Sequence, residues 1–415
     1  MQGHEGSRQH PMTAGLIGFV TIRRVVTRTP QIIGSARPDA GAIQSQVVNG
    51  NSLAITIGVC HVLYTYDLGL AIDLNECDRR VTSLKQRERI KHERRAPQSY
   101  FEYESPPLRI IREAPPLTIG QASSSNSVDL LIHDFGAITV VYGFPIQGPL
   151  YRLVELSSAF YDHEALRRAS RAEAEGLLES IRPAVTQPHL AEAVEDYVIF
   201  EVQSWTPALS PADLHSRFSL ELAQVLRAET AQLSEQEVND TLACRLSFGP
   251  DDLAIVDWNA AILFDADADD VRTVLELANA ELLEMRFLDG QLDRALERAY
   301  QALVLQRQHR PWKLGRRLKG DLPRIARMQV DSAVLFERIN NALKLFGDQY
   351  LARVYRLASQ RFHVNDWDAS ILRKIQTLES IYQKMTDRTS SLRMELLEWI
   401  IIVLIAVSIA LPFFG

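Results

Sequence analysis

The feature that most constrains this chain is a charge-free run near its C-terminal end, Trp399 to Gly415, reading WIIIVLIAVSIALPFFG. A helix that is apolar on every side offers no face to water, so protein or lipid must cover it. At a rise of ~1.5 Å per residue, a run of this length reaches ~25 Å, just short of a ~30 Å hydrocarbon core. Leu396 and Leu397 extend it, and Trp399, Phe413 and Phe414 flank it as interfacial aromatics do. The run therefore predicts a transmembrane helix over 399–415, with a buried core helix as the alternative. Lys384, Arg388 and Arg393 precede it and no charge follows. By the positive-inside rule, the long N-terminal part is then expected in the cytoplasm.

Upstream, apolar residues recur in steps of four and three through Ile371, Ile375, Leu378, Tyr382, Met385, Thr389, Leu392, Leu396 and Trp399. This heptad seam predicts a helix running into the membrane segment, with Asn365 or Asp366 as its N-cap. Two more long helices are expected, over about 324–359 and 269–308, separated by helix-stopping residues around Pro311 to Pro323. Short connections predict an antiparallel bundle over 267–398. The seam packs either within this bundle or between protomers; in the second case Ile371, Ile375, Leu378, Tyr382, Met385 and Leu392 carry self-association. If the last helix descends to the bilayer, the turn holding Trp312, Lys313, Arg316, Arg317 and Lys319 lies near it too. Those residues are candidates for contact with anionic head groups, against the alternative of a solvated loop.

The first 55 residues read as a leader or disordered segment, and residues 56–266 as an α+β domain. HVLYTY, from His61, reads as a strand, and IDLNECDRRV as the helix after it. The basic run over 85–95 reads as a solvated helix face. Two segments echo each other. VDLLIHDFGAITVVYGF turns at Asp134, Phe135 and Gly136, and LAIVDWNAAILFD turns at Asp257, Trp258 and Asn259. Both have the pattern of a β-hairpin, and each precedes a helix. The fold class expected is α+β: a duplicated hairpin–helix unit, then the helical bundle and the transmembrane helix.

Chemistry-bearing motifs are missing. Asp134-Phe135-Gly136 spells the kinase triplet without its partner motifs. Asp265, Asp267, Asp269 and Glu276 match EF-hand positions, but Asp270 stands where the loop needs glycine. His163-Glu164 lacks a second zinc-binding histidine. Cys60, Cys77 and Cys244 form no CxxC pair, which fits a reducing compartment. No cofactor, metal or catalytic constellation is expected. A pI near 5.9 and a formal charge of −7 argue against sequence-specific nucleic-acid binding.

Three stretches together resemble the family of the yeast "required for meiotic nuclear division" proteins, which includes the Sad1-interacting factors. They are LLIHDFGAITVVYGF, the helical YLARVYRLASQRFHVNDWDASILRKIQTLESIY, and MELLEWIIIVLIAV with its Leu397-Glu398-Trp399 entry. The Ala- and Arg-rich, Cys-poor composition suits a bacterial member. The resemblance implies a membrane-bound, self-associating protein. Mitochondrial members of that family are linked to translation of membrane-protein messages. The expectation is a tail-anchored scaffold or tether at the bacterial inner membrane, or the mitochondrial inner membrane if eukaryotic. It would partner the lipid bilayer and further copies of itself, with Glu398 and Trp399 at the membrane junction. The alternatives are a tether for ribosomes or another membrane protein, and an enzyme with an unfamiliar site.

Overall fold

The computed structural model describes residues 52–81, 84–87, 107–308, 330, 332–334, 337 and 349–410. From Ser52 onward the chain is one compact unit of mixed α+β structure. Its frame is β1 (Ala54–Asp67), hydrogen-bonded along both edges: to β11 (Val194–Thr206) on one side and β8 (Ala137–Pro145) on the other, both antiparallel. From β8 the sheet continues through β7 (Ser127–Ile132) and β4 (Leu108–Glu113) to β3 (Leu84–Arg87). From β11 it continues through β14 (Ala260–Phe264) and β13 (Leu253–Val256) to β12 (Arg245–Leu246). The pairs β2 (Ala71–Ile72) with β10 (Val185–Thr186), and β5 (Thr118–Ile119) with β6 (Ala122–Ser123), stand apart, and β9 (Gly148–Pro149) pairs with the start of β1.

The two faces of β1 show why the sheet sits between helices. Successive side chains point to opposite faces of a strand. Cys60, Val62, Tyr64 and Tyr66 enter one hydrophobic cluster, whereas Leu63 enters the other. Strands buried on both faces read as near-continuous apolar runs, which is how this stretch reads. The first cluster is closed by α1 (Leu74–Arg80), α2 (Tyr151–Phe160), α3 (Glu164–Ile181), α4 (Pro211–Arg217), α5 (Ser219–Arg227) and α6 (Glu235–Thr241). Asp73, Ser210 and Ser234 cap three of these helices by accepting first-turn amides. The second cluster is closed by α7 (Asp269–Gln308), α8 (Gln349–Arg361) and α9 (Val364–Ala410).

Both expected hairpins form, as β7–β8 and β13–β14. The long strand that precedes each meets it differently: β1 is antiparallel to β8, whereas β11 is parallel to β14. The helix over 269–308 matches expectation, and Gln349–Arg361 covers the end of the second expected helix and two residues beyond it; residues 324–329, 331, 335, 336 and 338–348 lie outside the described residues. The basic run reads differently. Lys85 to Arg87 belong to a strand paired with β4, so the expectation of a helix face is corrected there, and residues 88–95 lie outside the described residues. Charge alternation along a run does not separate a strand from a helix; the apolar partner strand β4 decided the matter.

The bundle is not set apart from the α+β body. Leu63, Val141, Ile199 and Leu263 of the sheet share one cluster with Val274, Leu292, Val354, Ile371 and Leu378 of the helices. The seam positions Ile371, Ile375, Leu378 and Tyr382 are buried in it, where α9 lies along α7. Those four are already covered by their own chain. Thr389 and Leu392 fall in a helical stretch whose side chains are outside the description, as does Met385.

Among the described residues, no helix is long and apolar enough to cross a membrane. The run expected to span continues α9 from Trp399 only to Ala410, and 411–415 lie outside the described residues. At ~1.5 Å per residue that stretch is roughly 18 Å long, and extending it backwards brings in Glu398, Glu395 and Arg393.

The first hairpin's turn is fixed by a close backbone approach. Gly136 has φ +111°, and a Cβ there would fall on the carbonyl oxygen of Gly69. That approach is bonded: the Leu68 amide donates to the Gly136 carbonyl at 2.9 Å, and the Ile72 amide to the Asp134 carbonyl at 2.9 Å. Gly136→Ala should therefore destabilise the protein by about 2–4 kcal/mol, read as a lowered urea midpoint with unchanged slope.

Candidate functional site

Charged groups rarely enter a core unless paired, yet a row of them lies between α7 and the sheet. Arg109 on β4 donates to Glu276 of α7 at 2.7 Å and to Asp129 of β7 at 3.0 Å. Arg109 is 3% exposed and Glu276 fully buried. Arg272, one helical turn earlier, reaches the other Glu276 oxygen at 3.3 Å and Asp269 at 2.7 Å. Its Nε lies 3.7 Å from Glu201 of β11, whose carboxylate also meets His61 of β1 at 3.3 Å and accepts from Gln203 at 2.8 Å. Burial would raise the Glu276 carboxyl, but the Arg109 and Arg272 charges outweigh it and hold the group below the usual carboxylate range. One turn further along α7, Asn279 donates to Thr65, which bonds Thr139 at 3.0 Å. His133 lies at the end of this row, stacked on Phe135, with neither ring nitrogen bonded among the described residues. Burial lowers its pKa to about 4, so it is neutral at pH 7.

A second set of acids follows on α7. Burial, and then the Asp67 charge, push the Glu284 carboxyl well above its ordinary value. Asp67 itself accepts the Gly69 amide at 2.8 Å and lies 3.5 Å from His189, whose pKa that contact lifts to about 9. Glu281 accepts from Tyr355 of α8 at 2.5 Å, and burial lifts its pKa to about 7. Through Tyr355 the Glu281 carboxyl ties α7 to α8, whereas the buried Oε1 of Glu284 has no hydrogen-bond partner among the described residues. The row is a charged seam that fixes one layer on another.

The residues singled out from the sequence fall elsewhere. Phe135 is buried under α7's cluster, and Asp134 and Gly136 shape the first turn. Asp257, at the second turn, is fully buried and locks three helices to the sheet. Arg361, ending α8, donates to it at 2.6 Å through Nε. Arg227, ending α5, lies 3.2 Å from its other oxygen at an angle that makes an ion pair without a hydrogen bond. Asp240 of α6 joins both arginines. Trp258 is half exposed with Arg227 over its ring, and the Asn259 carbonyl accepts from the Val198 amide. Glu398 and Trp399 are exposed on α9. Trp312, Lys313, Arg316, Arg317 and Lys319 lie outside the described residues.

The sequence reading missed Arg109, His133, Glu201 and Arg272, and took Glu276 only as an EF-hand look-alike. A signal was present: polar residues at inward positions of apolar strands, and Arg272, Glu276 and Asn279 along one face of a helix that is otherwise apolar there. Each needs a partner, and the partners lie far apart in sequence.

At the tip of α9 the situation reverses. Trp399 to Leu404 form six consecutive apolar residues, each 45–67% exposed.

Fold and site thus define a class: a mixed sheet between two helical layers, with α7 clamped to one face by buried ion pairs. The chain belongs to the family described as "Uncharacterized protein MJ0711, N-terminal domain", which matches residues 57–270. The protein "Uncharacterized protein MJ0711" of Methanocaldococcus jannaschii is 27% identical over 192 residues, covering 46% of this chain and 58% of the relative. The match thus spans less than two thirds of that relative. No solved structure matches the chain. These findings overturn the resemblance to the meiotic nuclear division and Sad1-interacting family, to which no match points. The stretches that suggested it are a hairpin pattern, a pair of helices and an apolar helix end, which general folding physics produces in unrelated chains. The Leu397-Glu398-Trp399 motif lies outside the matched residues altogether.

Two outcomes test the seam. Arg109→Met leaves Glu276 buried with one cation fewer and should cost about 3 kcal/mol in urea unfolding; adding Glu276→Leu should recover part of that loss. Glu281 holds its proton up to about pH 7 in the folded state, against an ordinary value of 4.5. The unfolded chain therefore releases a proton that the folded chain keeps, and this contribution to stability falls as pH rises from 4.5 to 7. Glu281→Gln should match the wild type near pH 4.5 and exceed it by about 3 kcal/mol at pH 8.

Proposed function

We propose that the protein is a tether without catalysis of its own, whose α+β body is held at a lipid surface by the exposed apolar end of α9. The observation that supports this reading is the exposure of Trp399, Ile400, Ile401, Ile402, Val403 and Leu404 together. A contiguous apolar surface of this kind marks an interaction site, and covering one such side chain contributes ~1.5–3 kcal/mol. Lys384, Arg388 and Arg393 precede the tip along α9. Each basic residue near an anionic surface adds ~1 kcal/mol, which favours lipid with acidic head groups. In this reading the tip enters the bilayer from the cytoplasmic side, with Glu398 and Trp399 at its edge, and residues 411–415 continue the apolar stretch.

Self-association belongs to the same proposal. It would run through the part of α9 beyond Tyr382, since Ile371, Ile375, Leu378 and Tyr382 already face α7. The duplicated-unit origin of the sheet is a further proposal, supported by the repeated order of long strand, helix, hairpin and helix.

Vesicle flotation tests the tether. The full chain should float with vesicles containing anionic lipid. Ile401→Glu with Leu404→Glu should reduce partitioning by about four orders of magnitude, because each acid costs ~2.5–3 kcal/mol within the hydrocarbon. Flotation of the doubly charged variant, or a wild type that stays behind, would reject the proposal.

A further inference from the structure

At the β12 edge of the sheet, an open cleft of about 350 Å³ is lined by Ala212 and His215 of α4, Arg245 and Leu246 of β12, and Ser247 and Leu253 beside it. Its volume falls in the range of small-molecule sites. Its chemistry is unlike the rest of this acidic chain. The polar lining consists of a guanidinium, an imidazole and a hydroxyl, and no acid takes part.

Three facts about these groups bear on what would fill the cleft. Arg245 donates to the Leu242 carbonyl at 2.9 Å, and among the described residues no carboxylate pairs with it. The Nε2 atom of His215 is shielded from solvent and bonded to nothing described, although a buried polar atom normally has a partner. Two acids close in sequence are occupied: Asp213 accepts from the Ser210 hydroxyl, and Asp252 accepts the Phe248 and Gly249 amides and the Tyr350 hydroxyl, while the exposed Asp251 does not line the cleft. Most other arginines of the body are neutralised by carboxylates, whereas Arg245 has its remaining donors available.

We propose that this cleft binds a small organic oxyanion, a carboxylate or a phosphate ester, gripped by Arg245 with Ser247 as a further donor and the His215 ring in the wall beside them. A planar guanidinium matches a carboxylate or phosphate through two parallel N–H···O bonds. Ala212, Leu246 and Leu253 give the walls an apolar surface for the carbon skeleton, and the volume exceeds what a bare inorganic ion needs. Burial and the Arg245 charge both lower the pKa of His215, so its imidazole is neutral at pH 7 in the empty cleft. An anion on Arg245 would offset both effects and favour the imidazolium, which links occupancy to a measurable titration.

The experiment is a histidine Cε1–H NMR titration of the full chain, with His215 assigned by His215→Gln. It is run in inorganic phosphate, in acetate and in chloride at matched ionic strength. The expected result is a His215 midpoint raised by about one pH unit in phosphate or acetate relative to chloride. A shift in phosphate alone would assign a phosphate ester, and a shift in acetate alone a carboxylate. Arg245→Gln should raise the midpoint in chloride, by removing the neighbouring charge, and weaken anion binding at least ~10-fold. Identical midpoints in the three salts would overturn the proposal. So would an anion-dependent shift that survives undiminished in Arg245→Gln.

Discussion

The pairing of Arg109 with Glu276 is the contact on which the arrangement of layers depends. An amphipathic helix can slide or rotate on an apolar sheet at little cost, because burial has no direction. Two fully desolvated charges cannot, since separating them leaves each without compensation in a medium of low polarity. Glu276 takes Arg109 of the sheet on one oxygen, and Arg272, which braces its other oxygen from the same helix, lies 3.7 Å from Glu201 of the sheet, so two contacts across the layers hold the helix in place. The Asn279–Thr65–Thr139 chain one turn on repeats the constraint with neutral groups. With α7 placed, α8 and α9 follow by packing against it, and Arg361 of α8 closes the arrangement on Asp257.

This division of labour explains what the sequence made legible. Both hairpins, the part of β1 from His61 onward and the full extent of α7 were readable because local pattern governs them: alternation or apolar runs for strands, a 3.6-residue period for the helix. The paired charges were not readable as a site, because their partners are 167 residues apart in the case of Arg109 and Glu276. No spacing rule connects a strand residue to a helix residue at that separation. The apolar seam of α9 was visible, yet its partner was not, since Leu378 facing a second protomer and Leu378 facing α7 leave the same trace in sequence. The basic run near Lys85 failed for the opposite reason: its own charges were read, while the neighbouring strand that fixes its geometry was not.

The two ends of α9 are governed by contrary rules. Its first half is held by burial on α7, reinforced by Lys374 between Asp289 and Asp293 at 2.7 and 2.6 Å. Its far end carries the longest uninterrupted apolar surface among the described residues and has no covering layer there. A single continuous helix therefore joins the segment packed on α7 to an exposed apolar end.

The family match ends at residue 270, the second residue of α7. Within the matched region, Leu63, Phe135, Val141, Ile199 and Leu263 form an apolar face, and Arg109, Glu201 and His61 stand on that same face. Such a face cannot be left to water. Its apolar members need cover, and Arg109 in particular would lose Glu276, the fully buried carboxylate it meets at 2.7 Å. The matched domain thus presupposes a covering element that brings its own acids. In this chain that element is α7, whose Glu276 meets Arg109 and whose Arg272 meets Glu201. The boundary drawn by sequence similarity is therefore not a boundary of stability: a chain cut at 270 would lose both the lid over the second core and the counter-charges of the first pair. The physical unit runs from Ser52 through the helices that follow, and the layer beyond the match completes the domain.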